Sequence, residues 1–287
     1  MKIGVSVPSK NKEEFVNINM NLGIIAGEGA LPLEMAVLYE KLGGKVFIAA
    51  IEGEADILSI SCYQYKQFSI GLVGSLIEYF TKNNVKEIIM VGRVKRFNFK
   101  SIKVDSTGSS LITKILKEKF LGDNSILKVI SNFIESKGFK VISPKKILEL
   151  SHYNIFYNTN SLVSKQDQVD IKLGIKALNT LSRLDIGQSV IVSNSYILGI
   201  EAAEGTDNLI RRCKSLRKNN KGGVLIKIAK LFQDMRLDLP TIGPNTITQL
   251  AKYHYKGLAV KKSETIIVKQ AEVISLLNEY NLFISYI

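Results

Sequence analysis

Tryptophan is absent from this 287-residue chain, and cysteine and histidine occur only twice each. Cys62 and Cys213 cannot build a disulfide framework, nor a thiolate zinc site alone, and they fit a reducing compartment. His152 and His254 exclude a histidine-rich metal centre and leave a histidine-based triad only two possible bases. Long apolar runs are missing too. The longest uncharged stretch, 186–200, holds 15 residues and includes Gly187, Gln188, Ser193, Asn194 and Ser195. It is too short and too polar to span a bilayer. Lys10, Lys12, Glu13 and Glu14 stand where a signal peptide needs its apolar segment, so a cytosolic protein is expected. Acidic residues are scarce: 26 Asp+Glu against 39 Lys+Arg, a formal net charge of +13. That field favours an anionic partner, whether nucleic acid, anionic lipid or a phosphorylated small molecule. No RNP, KH or zinc-knuckle pattern supports nucleic acid.

What is present is a core. The chain is 46% hydrophobic, enough for one large domain or two medium ones. Residues 1–20 are polar and poorly patterned, and read as an extension or a start upstream of a functional one at Met20. From Asn21 the pattern is that of an α/β protein. Asn21–Ala26 is a short apolar strand leading into Gly27, Gly29 and Pro32. A helical pattern follows over 33–42, stopped by Gly43 and Gly44, and Lys45–Ile51 is a second strand. This β–turn–α–β unit builds parallel sheets. A helix over Val73–Lys82, a strand over Glu87–Val91, helices over 109–121 and 125–136 and a strand over 139–142 complete a Rossmann-like domain, 21–143. Residues 144–166 read as a linker. The second domain, 167–287, is mixed α/β. Its helix at 168–181 precedes a hairpin, 189–192 with 196–200, and a capped helix over 208–213 follows. A strand over 224–229 and two helix–strand passages (245–253 into 258–260, 271–279 into 282–286) close it.

Four features carry chemistry. The turn Gly27–Glu28–Gly29–Ala30–Leu31–Pro32 joins a strand to a helix, where backbone N–H groups and a helix dipole attract phosphate. It is not the dinucleotide fingerprint, since Pro32 holds the third glycine position, and no Walker Gly-Lys follows. A tight turn with no ligand is the alternative. Gly92 and Arg93 end a strand, on the edge where parallel sheets bind ligands; an ordinary surface arginine reads equally well. Two basic stretches, 93–103 (with Phe97 and Phe99 interleaved) and 211–221, suit single-stranded nucleic acid, lipid headgroups or simply a solvated face. Carboxylates gather in the second half: Asp185, then Glu201, Glu204 and Asp207 within seven residues, then Asp238. Acids without histidine suit a hard cation such as Mg²⁺. Asp207 alone would cap a helix, and Asp185 would pair with Arg183. Asp238 is the unusual one, an acid between Leu237 and Leu239 just before Pro240. Lys227, Lys230, Arg211 and Arg236 are candidate cations for a phosphate. On these residues alone, a non-catalytic nucleotide- or nucleic-acid-binding protein and a dinucleotide-dependent enzyme stay open beside a hydrolase.

The strings LGIIAGEGALPLEMA, VGRV, SRLDIGQSVIV, GIEAAEGTDNLIRR and RLDLPTIGPNTI, in this order from about Asn21 onward, resemble the LpxI-type UDP-2,3-diacylglucosamine pyrophosphatases of lipid A biosynthesis. The resemblance implies hydrolysis of that substrate to UMP and 2,3-diacylglucosamine 1-phosphate. It implies a divalent cation, typically Mg²⁺, a nucleotide-binding-like domain, a linker, a lipid-X-binding domain and a homodimer. Two acyl chains imply peripheral contact with the inner face of the inner membrane. Carried onto this chain, it makes Asp238 catalytic. It puts substrate on Gly27, Gly29, Ala30, Leu31, Gly92, Arg93, Gly205, Thr206, Lys227 and Thr241, and metal on Asp238, Asp207 and Glu204. Glu28 departs from the family pattern, which has glycine or a small residue there, and residues 1–20 lie outside the resemblance.

Overall fold

A computed structural model describes residues 20–95, 103–117, 123–151, 159, 161–217, 220–231 and 233–287. The expected extension therefore lies outside the described residues, apart from Met20, as do His152 and most of the basic stretch after Arg93.

The first half is one parallel sheet. Strands β1 (Asn21–Ala26), β2 (Lys45–Ile51), β3 (Gln64–Phe68), β4 (Glu87–Val91) and β5 (Lys140–Val141) lie in the order β3-β2-β1-β4-β5. β1 and β2 are apolar nearly throughout because both sheet faces are covered. On one face Leu22, Ile24, Ile48 and Ile89 meet helices α1 (Leu31–Lys41) and α6 (Pro144–Leu150). On the other, Phe47, Ala49 and Ile88 meet α3 (Val73–Lys82) and α5 (Asp123–Glu135). Gly44 is required beneath α1: a Cβ there would collide with the Tyr39 ring.

Three elements differ from the expected ones. β3, after the single turn α2 (Ile57–Ile60), is an edge strand, and edge exposure lets QYKQF be polar where a buried strand is apolar. Helix α4 (Ser106–Leu116) starts three residues early because Asp105 caps it, accepting the Gly108 N–H at 2.7 Å. The linker reading fails at its start: α6 buries Ile147 and Leu148 in the first core, so the connecting stretch begins only after it.

The second half opens with α7 (Lys165–Leu181), whose start is a capping box between Ser164 and Asp167. β6 (Ser189–Ser193) and β7 (Tyr196–Ile200) form the expected hairpin. They join β8 (Val224–Lys227), β10 (Gly257–Val260) and β12 (Phe283–Tyr286) in a mixed sheet, β12-β10-β8-β6-β7. β8, β10 and β12 are parallel, and β6 runs antiparallel to β8. α7 covers one face and comes close because Gly174 faces Ile226 and Val190. Helices α8 (Thr206–Cys213), α9 (Pro244–Lys252) and α10 (Gln270–Glu279) cover the other. β9 (Thr241–Ile242) and β11 (Ile266–Ile267) form a small parallel pair of their own.

The halves are not separate beads. Leu237 is buried in the core on one face of the first sheet and Leu239 in the core on the other. Segment 235–239 thus straddles the β5 edge, pinned by Ser143 Oγ donating to the Met235 carbonyl at 2.9 Å. Ile266 and Val268 also join the first core. Across the same boundary the Lys269 N–H donates to the Glu34 carboxylate at 3.0 Å, and burial pushes that carboxyl up to about 7.

Candidate active site

The antiparallel insertion of β6 decides where polar groups meet. Register pairs Ser189, the first residue of β6, with Lys227, the last of β8, while β7 ends beside them at Ile200. These residues share the end of the sheet at which parallel strands β8, β10 and β12 terminate, the usual ligand edge. The tight turn before β6 depends on Gly187, whose φ is +53° and whose Cβ, were there one, would collide with the Glu201 carbonyl.

From there one hydrogen-bonded chain runs through the site. Lys227 Nζ donates to Thr206 Oγ1 at 2.9 Å, and Thr206 Oγ1 donates to Glu201 Oε1 at 3.0 Å. Glu201 Oε2 accepts the Gln188 backbone N–H at 3.3 Å, and Gln188 Nε2 donates to Asp238 Oδ2 at 2.8 Å. Gln233 Nε2 reaches the same Oδ2 at 2.8 Å. Asp238 is presented by its neighbours: Leu237 and Leu239 are sunk in the two cores of the first half, which leaves the acid between them facing the second. It therefore stands where the halves meet. Thr206 begins α8, which no side chain caps, and Gly205 before it has φ +80° and open space where a Cβ would point. Such a helix start offers N–H groups and a positive dipole to an anion. Asn245, in the first turn of α9, donates to Asp207 Oδ2 at 2.7 Å, so the starts of α8 and α9 converge.

Asp238, Gly205, Thr206 and Lys227 are thus brought to one end of the second sheet, with Thr241 three residues past Asp238 at the start of β9. The tentative metal set divides differently. Glu204 is committed to Arg212, at 2.9 Å, and Asp207 to Asn245. Burial pushes the Glu204 carboxyl up, but hydrogen bonds from its own N–H, Arg212 and Ala202 outweigh that and hold it below the ordinary value. Glu201, not Glu204, is the acid linked to Asp238. Among the described residues no three His, Cys, Asp or Glu side chains gather at one point. Of the expected metal set, Glu204 and Asp207 thus each have a protein partner of their own, and neither shares one with Asp238.

The glycine turn of the first half spends two of its N–H groups on the chain itself. Gly27 N–H donates to the Val91 carbonyl at 2.9 Å and Glu28 N–H to the Arg93 carbonyl at 2.7 Å. Gly27 and Gly92 cross so closely that a Cβ on either would strike the other segment's backbone. The turn and Arg93 are adjacent as expected, but these two N–H groups hold the turn to β4 and do not face a phosphate. Gly29 follows with φ +105° and open space where a Cβ would point, and Ala30 and Leu31 then open α1, which no side chain caps.

Of the four candidate cations only Lys227 lies in the polar chain. Lys230 pairs with Asp185, and Arg211 bonds Asn208 along α8. Arg236 braces segment 235–239, bonded to Asp234 at 2.8 Å and to Glu135 of α5 at 2.9 Å. Asp185 pairs with Lys230, while the side chain of Arg183, its expected partner, lies outside what the structure describes. The basic stretch 211–221 is not wholly a solvated face either. Arg217 is buried, lies 3.8 Å over the Tyr255 ring and donates to the carbonyls of Gly222, Tyr253 and His254.

Two family models match this chain: the LpxI N-terminal domain over residues 21–150 and the LpxI C-terminal domain over residues 157–285. The first ends where α6 ends. A curated protein of Caulobacter vibrioides, UDP-2,3-diacylglucosamine pyrophosphatase LpxI, is 28% identical over 271 residues, covering 92% of this chain and 96% of that protein.

Proposed function

Because the chain belongs to the LpxI family, matched in both of its halves, we propose that it hydrolyses the pyrophosphate bond of UDP-2,3-diacylglucosamine in lipid A biosynthesis. The products are UMP and 2,3-diacylglucosamine 1-phosphate. The observation that carries this reading is the continuous chain Asp238–Gln188–Glu201–Thr206–Lys227 at the strand ends. It has a carboxylate at one end and a cation at the other, beside the uncapped start of α8.

A pyrophosphate diester arrives with two negative charges, and its cleavage adds charge to the leaving phosphate. Lys227 and the N–H groups at the start of α8 bind those phosphate oxygens and need no reorganisation as the charge grows. Asp238 orients the attacking water and takes its proton as the new P–O bond forms and the bridging P–O bond breaks, the leaving phosphate departing as an anion. Glu201 fixes the Thr206 hydroxyl, and through it the Lys227 ammonium. The donor set also fits a hard cation. Asp238 and Glu201 offer carboxylate oxygens joined by one glutamine, and Mg²⁺ takes one or two carboxylates and completes its shell with water and phosphate. When bound, Mg²⁺ supplies further neutralisation of the phosphate oxygens.

The reading extends to cytoplasmic placement at the inner face of the inner membrane and to a homodimer. Two acyl chains and a net charge of +13 support a peripheral lipid contact. No helix among the described residues is long and apolar enough to cross a membrane. Release of UMP from UDP-2,3-diacylglucosamine tests the activity. Asp238→Ala is expected to lose about 10³-fold in turnover while keeping its fold and its product binding. Full turnover in that variant would remove Asp238 from the mechanism.

A further inference from the structure

We propose that Gln188 and Gln233 are positioning residues, a two-amide clamp that holds the Asp238 carboxylate in one working orientation. The proposal rests on the reading of Asp238 as the catalytic acid.

Both side-chain amides donate to the same oxygen, Asp238 Oδ2, each at 2.8 Å. They arrive from separate places, Gln188 from the turn before β6 and Gln233 from the loop after β8. The orientation of Gln233 is forced by its surroundings. Its Oε1 accepts the Lys230 backbone N–H at 3.0 Å, and that group can only donate. Its Nε2 must then face Asp238, where the backbone carbonyl, at 2.6 Å, and Oδ2 can only accept. At 8% exposure the side chain has no room to exchange the two ends.

Gln188 is seated with similar rigidity. Its N–H donates to Glu201 Oε2 at 3.3 Å and its carbonyl accepts the Ile228 N–H at 3.0 Å. Gly187 supplies the left-handed turn before it. The Asp238 backbone is pinned by Leu237 and Leu239. Turning the carboxylate away from this orientation would break two charge-assisted hydrogen bonds at once. Amides suit this task better than cations. A lysine or arginine at either position would cancel the charge that Asp238 needs, whereas an amide orients it and leaves it intact.

The test measures kcat and KM on UDP-2,3-diacylglucosamine for Ala and Glu variants of each glutamine beside Asp238→Ala, with thermal melts to follow folding. Gln188→Ala and Gln233→Ala are expected to lower kcat about 10–100-fold with KM within about twofold. Gln188→Glu and Gln233→Glu keep the shape, remove the donor and add a like charge, so they should fall at least as far. If the glutamines only fill space, the Glu variants will be milder than the Ala variants, which overturns the clamp. Full kcat in both Ala variants with an inactive Asp238→Ala also overturns the clamp alone. An active Asp238→Ala overturns the catalytic reading beneath it. Should an Ala variant fail to fold, Gln188→Asn and Gln233→Asn withdraw the amide by one methylene, and undiminished kcat in them refutes the proposal.

Discussion

The two glycine-containing turns, one in each half, use the same backbone resource in opposite ways. In the first half, Gly27 and Glu28 donate their N–H groups to β4 and the residues after it, and Gly27 serves a close crossing of two chain segments, while Gly29 alone keeps open space in front of it. In the second, Gly205 opens a helix with no side-chain cap and empty space in front of it. Both turns lead into a helix that no side chain caps, but the first, which has the stronger look of a phosphate site in sequence, has already spent two N–H groups on the chain itself. A glycine-rich strand-to-helix turn is therefore weak evidence for a ligand until the destinations of its N–H groups are known.

That contrast is open to attack. The largest effect should come from Lys227→Met in the second half, which removes the one candidate cation in the polar chain. Turnover should fall about 10²–10³-fold with stability nearly unchanged. A loss below about fivefold would mean the α8 start is not the phosphate site. Gly27→Ala probes the first half and should show the reverse split. Its Cβ would strike the Arg93 carbonyl, so a stability loss of about 1–3 kcal/mol is expected, read as a lowered melting temperature. A melt unchanged by Gly27→Ala would show that the crossing is loose enough to admit ligand.

Between the halves, Glu34 gives a pH signature. Its carboxyl sits near 7 in the folded chain against 4.5 for an ordinary glutamate. Between those values the folded state holds more protons than the unfolded one, so stability falls as pH rises through that window. Glu34→Gln should flatten this stretch of a melting-temperature profile, and an unaltered slope would show that burial does not raise this acid over the opposing pull of Lys269. The smallest effect belongs to Glu204→Gln. An exposed pair with Arg212 contributes about 0–1 kcal/mol, and turnover should stay within about twofold. A steep loss of activity would restore Glu204 as a ligand.

How much of this was legible in the sequence depends on what kind of interaction carried each part. Apolar runs revealed β1, β2, β4 and the hairpin, because burial is written directly in residue type. β3 was hidden because a polar edge strand has no such run. Asp238 stood out because an acid between two leucines contradicts its local pattern. Gln188 and Gln233 carried no signal: neutral amides are ordinary on any surface, and their shared partner lies 50 residues from one and five from the other. The family string EGTD points to Glu204 over Glu201, and only folding separates the two, by tying Glu204 to Arg212 and Glu201 to Thr206 and Gln188. The pairing of Lys230 with Asp185 was likewise beyond reach, since it spans 45 residues.

Segment 235–239 has a bearing on how the molecule comes apart. The leucines on either side of Asp238 plug two cores that belong to the other half of the chain. A fragment ending after α6 would leave both holes open, and a fragment beginning at α7 would expose both plugs to water. The two sheets are therefore expected to melt in one transition, and two resolved transitions in a thermal scan would show that the plugs do not couple them.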